Sequence, residues 1–198
     1  MNNFVERRLA AHYSALLFQH QVSEQDVFGF ECLDGWSDLI EGSLRLISRY
    51  AKFGAADVKV AQVKEKFGQL RIYQRGGNEC VDLAIAIAEL VSGCICELCG
   101  KTGNVVSIEG VMVTRCEEHR GRHHLEQLGP PGPDEYYVAE YVQTVDSIRT
   151  FFEASAQYWV QQPCLALGSR RPYEMMGTRE GCQTIYTLLK RLEHGVGV

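Results

Sequence analysis

Apolar side chains recur at helical spacing in two stretches near the start of the chain. Val5, Leu9, Tyr13, Leu16 and Leu17 form the first stripe, and the second runs from Ile40 to Ala51. Residues three and four positions apart share one face of an α-helix. Both stretches are therefore predicted to be amphipathic helices.

The pattern then changes to short runs of β-favouring residues between Asp57 and Gln74. The runs 58–60 and 70–73 flank Lys66-Phe67-Gly68, and this arrangement predicts a β-hairpin. A second β-rich stretch covers 105–114 and contains Glu109-Gly110 at its centre. We expect it to form another hairpin.

Between the two hairpins, Asn78 follows Gly76-Gly77 and can cap a helix that continues to Ser92. This helix is apolar on nearly all sides, so we expect it to lie at the centre of its domain. The first part of the chain is therefore predicted to be α+β.

The clearest boundary in the chain is Gly129-Pro130-Pro131-Gly132-Pro133, which contains three of the five prolines. Proline lacks a backbone donor, so this segment favours an exposed linker over a helix or a strand. We predict one domain over 1–128, a linker over 129–133 and a second domain over 134–198.

The second domain is predicted to be entirely helical. One apolar stripe extends from Asp134 to Pro163, which ends it. Pro172 is typical of a first helical position, and Gly177 is typical of a helix end. A last helix is predicted to begin after the cap Thr178 and to end near Gly195.

Composition narrows the class of protein. The chain has 198 residues, of which 45% are hydrophobic and 23% charged, and its net charge is −5. These values are typical of a globular protein. The longest apolar run, 83–88, is far shorter than the ~18 residues that a membrane span requires. Because the start resembles no secretory signal, we expect a cytoplasmic protein.

Eight cysteines in a reducing compartment indicate metal binding more often than disulfides. Cys96 and Cys99 form one pair of candidate ligands, and Cys116 and His119 form a second pair, with sixteen residues between the two pairs. With the 105–114 hairpin between them, the two knuckles are similar to a zinc ribbon. Three thiolates and one imidazole complete a tetrahedral site, so the predicted Zn²⁺ is structural.

The alternative is that these cysteines are reduced, partly buried thiols. Cys94, His123 and His124 are close enough in sequence to act as substitute ligands. The other cysteines lack a pairing pattern, and we interpret them as core or near-surface thiols: Cys32, Cys80, Cys164 and Cys182.

The last 40 residues contain a longer motif. It runs Trp159-Val160-Gln161-Gln162-Pro163, then Leu167-Gly168, Arg171-Pro172, Gly181, and finally Leu192-Glu193-His194-Gly195. From about Val138 to Val198, this region resembles the toxin-binding domain of the Xre/MbcA/ParS antitoxins. The resemblance includes the punctuating glycines and prolines as well as the apolar positions.

The resemblance implies that the chain is not an enzyme but an antitoxin that neutralises a RES-type toxin. Such a toxin consumes NAD or transfers its ADP-ribose, and the last helix and tail would occlude its nucleotide site. The flexible apolar tail Val196-Gly197-Val198 suits entry into a pocket. The expected toxin-binding residues are Gly168, Arg171, Pro172, Gly181, Arg191, His194, Gly195, Val196, Gly197 and Val198.

The first domain departs from that family, whose members usually carry a DNA-binding helix-turn-helix. It resembles instead a small bacterial domain of unknown function, through Gly35-Trp36, the segment 63–71 and the Cys-x-x-Cys-Gly knuckle. The combination implies an immunity protein paired with a secreted or polymorphic RES-type toxin. A homo-oligomer and a larger complex with the toxin both stay open.

Two other classes of function, nucleic-acid binding and catalysis, compete with the antitoxin interpretation. Residues 44–75 contain eight basic side chains against two acidic ones, with Phe67 and Tyr73 among them. A zinc-containing regulator that binds nucleic acid through this basic hairpin is therefore the main alternative. Catalysis is disfavoured because the common nucleophile, metalloprotease and phosphate-loop motifs are missing from the sequence.

Overall fold

A computed structural model describes residues 1–17, 29–54, 57–121 and 133–195. Helices and strands are mixed up to residue 121, and the regular elements after residue 133 are helices. The elements are α1 (Asn3–His12), β1 (Phe30–Glu31), α2 (Ser37–Phe53), β2 (Lys59–Lys66), β3 (Gln69–Arg75), α3 (Glu79–Ser92), β4 (Asn104–Ile108), β5 (Val111–Arg115), α4 (Glu135–Phe152), α5 (Ala156–Trp159), α6 (Pro172–Met175) and α7 (Arg179–Glu193). The predicted α+β class is confirmed.

Both predicted hairpins are present. Strands β2 and β3 pair antiparallel, with Val63 opposite Ile72, and β4 pairs with β5 in a separate two-stranded sheet. The short strand β1 adds to β2 in parallel. Sequence patterning did not predict β1, because a two-residue strand has no periodicity of its own.

The first helix is shorter than its apolar stripe indicated. α1 ends at His12, and Tyr13 is its C-cap. Leu16 and Leu17 then approach the sheet, where the N–H of Val60 donates a 2.9 Å hydrogen bond to the carbonyl of Leu16. The prediction of a helix through Leu17 was wrong, because these leucines are buried by pairing with β2 rather than by a helical face.

The third helix begins as predicted. The side chain of Asn78 accepts hydrogen bonds from the N–H groups of Cys80 and Val81. One side of α3 is fully buried, and it includes Val81 and Ile87. The other apolar residues of α3, Leu83, Ile85 and Leu90, are only partly buried.

The predicted single helix from Asp134 to Pro163 is broken. α4 ends at Phe152, Glu153 adopts a φ of 46°, and a 3₁₀ turn leads into α5. The turn brings the ring of Trp159 onto that of Phe152, with centroids 4.3 Å apart. The prediction of one continuous helix was wrong, because the turn after α4 allows Trp159 to pack on Phe152.

One cluster of buried side chains includes residues on both sides of the predicted linker. α4 packs against both α2 and α7. A Cβ placed on Gly42 of α2 would lie 2.7 Å from the ring of Tyr141 in α4, so the two helices approach closely there. The division into two domains stays a prediction, and residues 129–132 of the linker lie outside the described residues.

Candidate functional site

The four predicted metal ligands lie together. One ligand atom from each of Cys96, Cys99, Cys116 and His119 falls within 4.8 Å of the others. The sulfurs of Cys99 and Cys116 are 3.7 Å apart. The Nδ1 atom of His119 lies 3.3 Å from the sulfur of Cys116 and 3.5 Å from that of Cys96. Zinc–sulfur bonds of about 2.3 Å in a tetrahedron place two sulfurs about 3.8 Å apart, so these distances fit such an ion.

Local backbone structure explains how the first knuckle forms. The N–H of Gly100 donates a 2.9 Å hydrogen bond to the carbonyl of Cys96, and Gly100 has a φ of 77°, which glycine adopts readily. Burial raises the pKa of the Cys96 thiol, but backbone N–H groups, led by that of Cys116, outweigh it and hold this pKa below its ordinary value. The knuckle therefore stabilises a thiolate, the form that binds metal.

The second knuckle follows β5 directly. Cys116 precedes a 3₁₀ turn over Glu117–His119, and the N–H of His119 donates to the carbonyl of Cys116 at 3.0 Å. Cys96, Cys116 and His119 are buried, and Cys99 is half-buried. This Cys₃His group can hold a metal ion.

The acidic side chains beside these ligands interact with cations. Glu97 forms a buried ion pair with Arg115, Glu118 pairs with Lys101 at 2.7 Å, and Glu117 pairs with Arg120 at 3.0 Å. Burial raises the pKa of Glu97, and Arg115 counteracts that rise. The partners of these carboxylates are those of structural ion pairs, which disfavours a hydrolase at this knuckle.

Cys94 is not a member of the metal-binding group. Its carbonyl oxygen lies 3.4 Å from the position of a Cβ on Gly177. Burial raises the pKa of the Cys94 thiol to about 11. The other two substitute ligands, His123 and His124, lie outside the described residues.

The knuckle is docked on the start of α2. A Cβ on Gly35 would lie 2.2 Å from the carbonyl oxygen of Cys96, so only glycine fits at this position. The N–H of Gly35 donates to the carbonyl of Glu97 at 2.9 Å, and the indole N–H of Trp36 donates to that of Ile95 at 2.8 Å. The Gly35-Trp36 pair that sequence reading singled out thus supports the metal-binding loop.

The C-terminal helices are positioned by hydrogen bonds to α4 and by one close backbone approach. The hydroxyl of Tyr137 donates to the carbonyl of Met176 at 3.1 Å, and that of Thr144 donates to the carbonyl of Cys182 at 3.0 Å. A Cβ on Gly181 would lie 1.9 Å from the carbonyl oxygen of Met175. Gly181 therefore allows α7 to begin directly beside the end of α6.

The predicted toxin-binding residues fall into two groups. Pro172 and Gly181 are buried, so they support the surface residues from the interior of the protein. The exposed group consists of Gly168, Arg171, Arg191, His194 and Gly195. Val196, Gly197 and Val198 lie outside the described residues.

One member of the exposed group, Arg191, lines a groove of about 480 Å³. Ala166 and Leu167 line one side of it, next to Gly168, while Thr187 and Arg191 of α7 line the other. Arg171 does not line this groove; its guanidinium pairs with Glu174 at 3.3 Å. Sequence reasoning missed Leu165, whose side chain is 89% exposed beside the groove residue Ala166.

Within the described part of the chain, no helix is both long and apolar enough to cross a bilayer. The described residues combine a Cys₃His group that could hold a metal ion with a helical region that presents a groove and an exposed helix end.

Comparison with known proteins identifies the helical region. Residues 146–195, about a quarter of the chain, match the family described as the antitoxin Xre/MbcA/ParS C-terminal toxin-binding domain. The match confirms the resemblance and supports a toxin-binding antitoxin role. No curated protein and no solved structure matches the chain.

Proposed function

We propose that this protein is an antitoxin or immunity protein that neutralises a RES-type toxin, an enzyme that consumes NAD or transfers its ADP-ribose. The match of residues 146–195 to a toxin-binding domain carries the proposal. The last helix and the tail that follows it occlude the nucleotide site of the toxin.

The exposed end of α7 supports this mode of inhibition. Arg191, His194 and Gly195 are exposed, and Gly195 has a φ of 66°, so the backbone turns as the helix ends. This exposed end of α7 is open to a partner that covers it. Residues 196–198 are the ones we place in the cleft of the toxin.

The toxin also contacts the groove between α7 and the 3₁₀ turn Leu165–Leu167. The turn ends at Gly168, whose φ of 68° reverses the chain and leaves Leu165 in solvent. Protein–protein interfaces have an apolar core and a polar rim, and an exposed leucine beside a partly polar groove offers such a core. Leu165 is therefore the apolar anchor of the proposed interface.

The metal ion is Zn²⁺, and its role is structural. The Cys₃His set supplies four ligands, which complete the tetrahedral coordination that zinc prefers. Because no position is left for an activating water, the ion contributes to folding and not to catalysis. The ion connects both knuckles and thereby holds β5 against the start of α2.

Co-purification with the product of the adjacent gene tests the proposal. We expect the two proteins to elute together, and we expect the neighbour alone to deplete NAD. Adding this protein in equimolar amount should stop that depletion. A neighbour that leaves NAD intact would refute the RES assignment, and NAD depletion at an unchanged rate in the complex would refute the antitoxin role.

A further inference from the structure

The turn between β2 and β3 places a large apolar ring in solvent at a strained position. Phe67 and Gly68 are its two central residues, with φ values of 56° and 77°. Two-residue turns with positive φ at both positions favour Asn-Gly, and a bulky residue at the first of them is disfavoured. The Phe67 side chain is nevertheless 69% exposed. Strain of this kind is typical of functional positions.

Two hydrogen bonds, one at the N–H and one at the carbonyl of Gly68, fix the turn that holds Phe67. The N–H of Gly68 donates to a carboxylate oxygen of Glu65 at 2.6 Å, and its carbonyl accepts a hydrogen bond from the hydroxyl of Thr114 in β5. A Cβ on Gly68 would meet the backbone of Val113 at 3.2 Å. The ring of Phe67 is therefore presented by a rigid turn.

The solvent-facing side of the hairpin continues from this ring. Val63, Leu70 and Ile72 are buried, and side chains alternate along strands. Lys64 and Tyr73 thus lie on the opposite face. The Lys64 ammonium is 5.2 Å from the centroid of the Tyr73 ring, and the Lys66 ammonium is 5.5 Å from that of Phe67. The face carries two pairs of a cation and an exposed ring.

The carboxylates around this face interact with groups other than the Lys64 and Lys66 ammonium groups. Glu65 accepts from Gly68, Glu31 accepts from the amide of Gln62 at 2.7 Å, and Glu89 lies 3.8 Å from Arg71. Within the described residues, neither Lys64 nor Lys66 forms an ion pair. The two ammonium groups are therefore available to an anionic partner.

We propose that this face, formed by Lys64, Lys66, Phe67 and Tyr73, binds a single-stranded nucleic acid. The lysines contact the phosphates, and two bases stack on the aromatic rings. Paired bases in a duplex present no free faces to such rings, and an acidic protein would not need two ring platforms. Stacking combined with a cationic surface is the usual mode of binding to single strands.

Fluorescence polarisation of the full chain with labelled 12-mers of deoxythymidine and of uridine tests the proposal, and comparing the two strands separates DNA from RNA. We expect saturable binding to at least one of them, and weaker binding to a duplex of the same length. Two phosphate contacts, one for each lysine, give a salt slope near −1.4, which corresponds to roughly 7-fold weaker binding at 200 mM than at 50 mM salt.

Substitutions in the full chain test whether the strand binds at this face. Lys66→Ala with Phe67→Ala should weaken binding at least about fivefold, the lower limit for loss of one stacked base. Tyr73→Ala should do the same. The matched control is Lys52→Ala with Phe53→Ala, an adjacent lysine and phenylalanine at the end of α2, where Phe53 is 82% exposed. The control should bind like the unmodified protein.

Phe67→Asn separates binding from folding. Asparagine tolerates a positive φ, so this variant should unfold at a higher temperature while it binds the strand more weakly. Opposite changes in stability and affinity are not expected if Phe67 is only structural. The proposal is refuted if neither strand binds, if the control loses as much affinity as the Lys66/Phe67 variant, or if polyglutamate binds this face as tightly as the strands do.

Discussion

The indole N–H of Trp36 donates a 2.8 Å hydrogen bond to the carbonyl of Ile95. Trp36 is fully buried directly before α2, and Ile95 directly precedes the first candidate metal ligand, Cys96. A core residue thus holds the loop of the candidate metal site through the only polar atom of its side chain. Folding of the core and assembly of the metal site are therefore coupled.

Trp36→Phe should uncouple folding of the core from assembly of the candidate metal site. The substitution removes the donor to a buried carbonyl and leaves a small cavity, so we expect a loss of about 2–4 kcal/mol in the free energy of unfolding. Trp159→Phe is the matched control, because a phenylalanine there can still stack on Phe152. Denaturant titrations of both variants measure the difference. Equal losses would show that the bond to Ile95 contributes little.

Removing the metal should loosen the region around both knuckles. We expect one equivalent of zinc per purified chain, and we expect Cys116→Ser to lose it and to unfold at a lower temperature. Cys164→Ser, at a half-buried cysteine outside the group, should keep the metal. Metal content and thermal unfolding give the readout. If chelation leaves the unfolding temperature unchanged, the assignment of a structural zinc is wrong.

The start of α7 should tolerate no side chain at position 181. A Cβ there would lie 1.9 Å from the carbonyl of Met175, so Gly181→Ala should destabilise the protein by about 1–3 kcal/mol. Gly29→Ala is the control, since no described residue lies within 4 Å of a Cβ on Gly29. Chemical unfolding of the two variants compares them. A Gly181→Ala protein as stable as the control would contradict this packing.

The buried ion pair of Glu97 with Arg115 should contribute more to the free energy of unfolding than the exposed pair of Glu118 with Lys101. The side chains of Glu97 and Arg115 are only 4% and 3% exposed, so Glu97→Gln breaks a buried ion pair and should cost about 3 kcal/mol or more. Glu118→Gln removes the exposed pair with Lys101 and should change nothing measurable. Similar effects of the two substitutions on unfolding would argue against a desolvated pair.

Elements with a local pattern could be predicted from the sequence. The cap Asn78, the two hairpins and the start of α7 at Thr178 depend on neighbouring residues, and each was predicted correctly. The grouping of the four Cys and His side chains was predicted as well, because paired residues on either side of a hairpin are brought together by the hairpin itself.

Features that depend on distant packing could not be predicted. The end of α1 is set by pairing of Leu17 with Val60, and the break after α4 is set by Trp159 stacking on Phe152. Both alternatives bury the same apolar residues, so the stripe alone could not distinguish them. The role of Gly35 also required the structure, because it depends on the Cys96 carbonyl 61 positions later.

The most direct test of the antitoxin proposal is the rate of NAD loss catalysed by the cognate toxin in the presence of a variant that lacks Val196, Gly197 and Val198. Val196→Ser with Val198→Ser keeps the length of the tail and removes only its apolar side chains. We predict that the deletion variant stays folded but restores NAD consumption, and that the serine variant inhibits at least about tenfold less tightly. Full inhibition by the deletion variant would contradict occlusion by the tail.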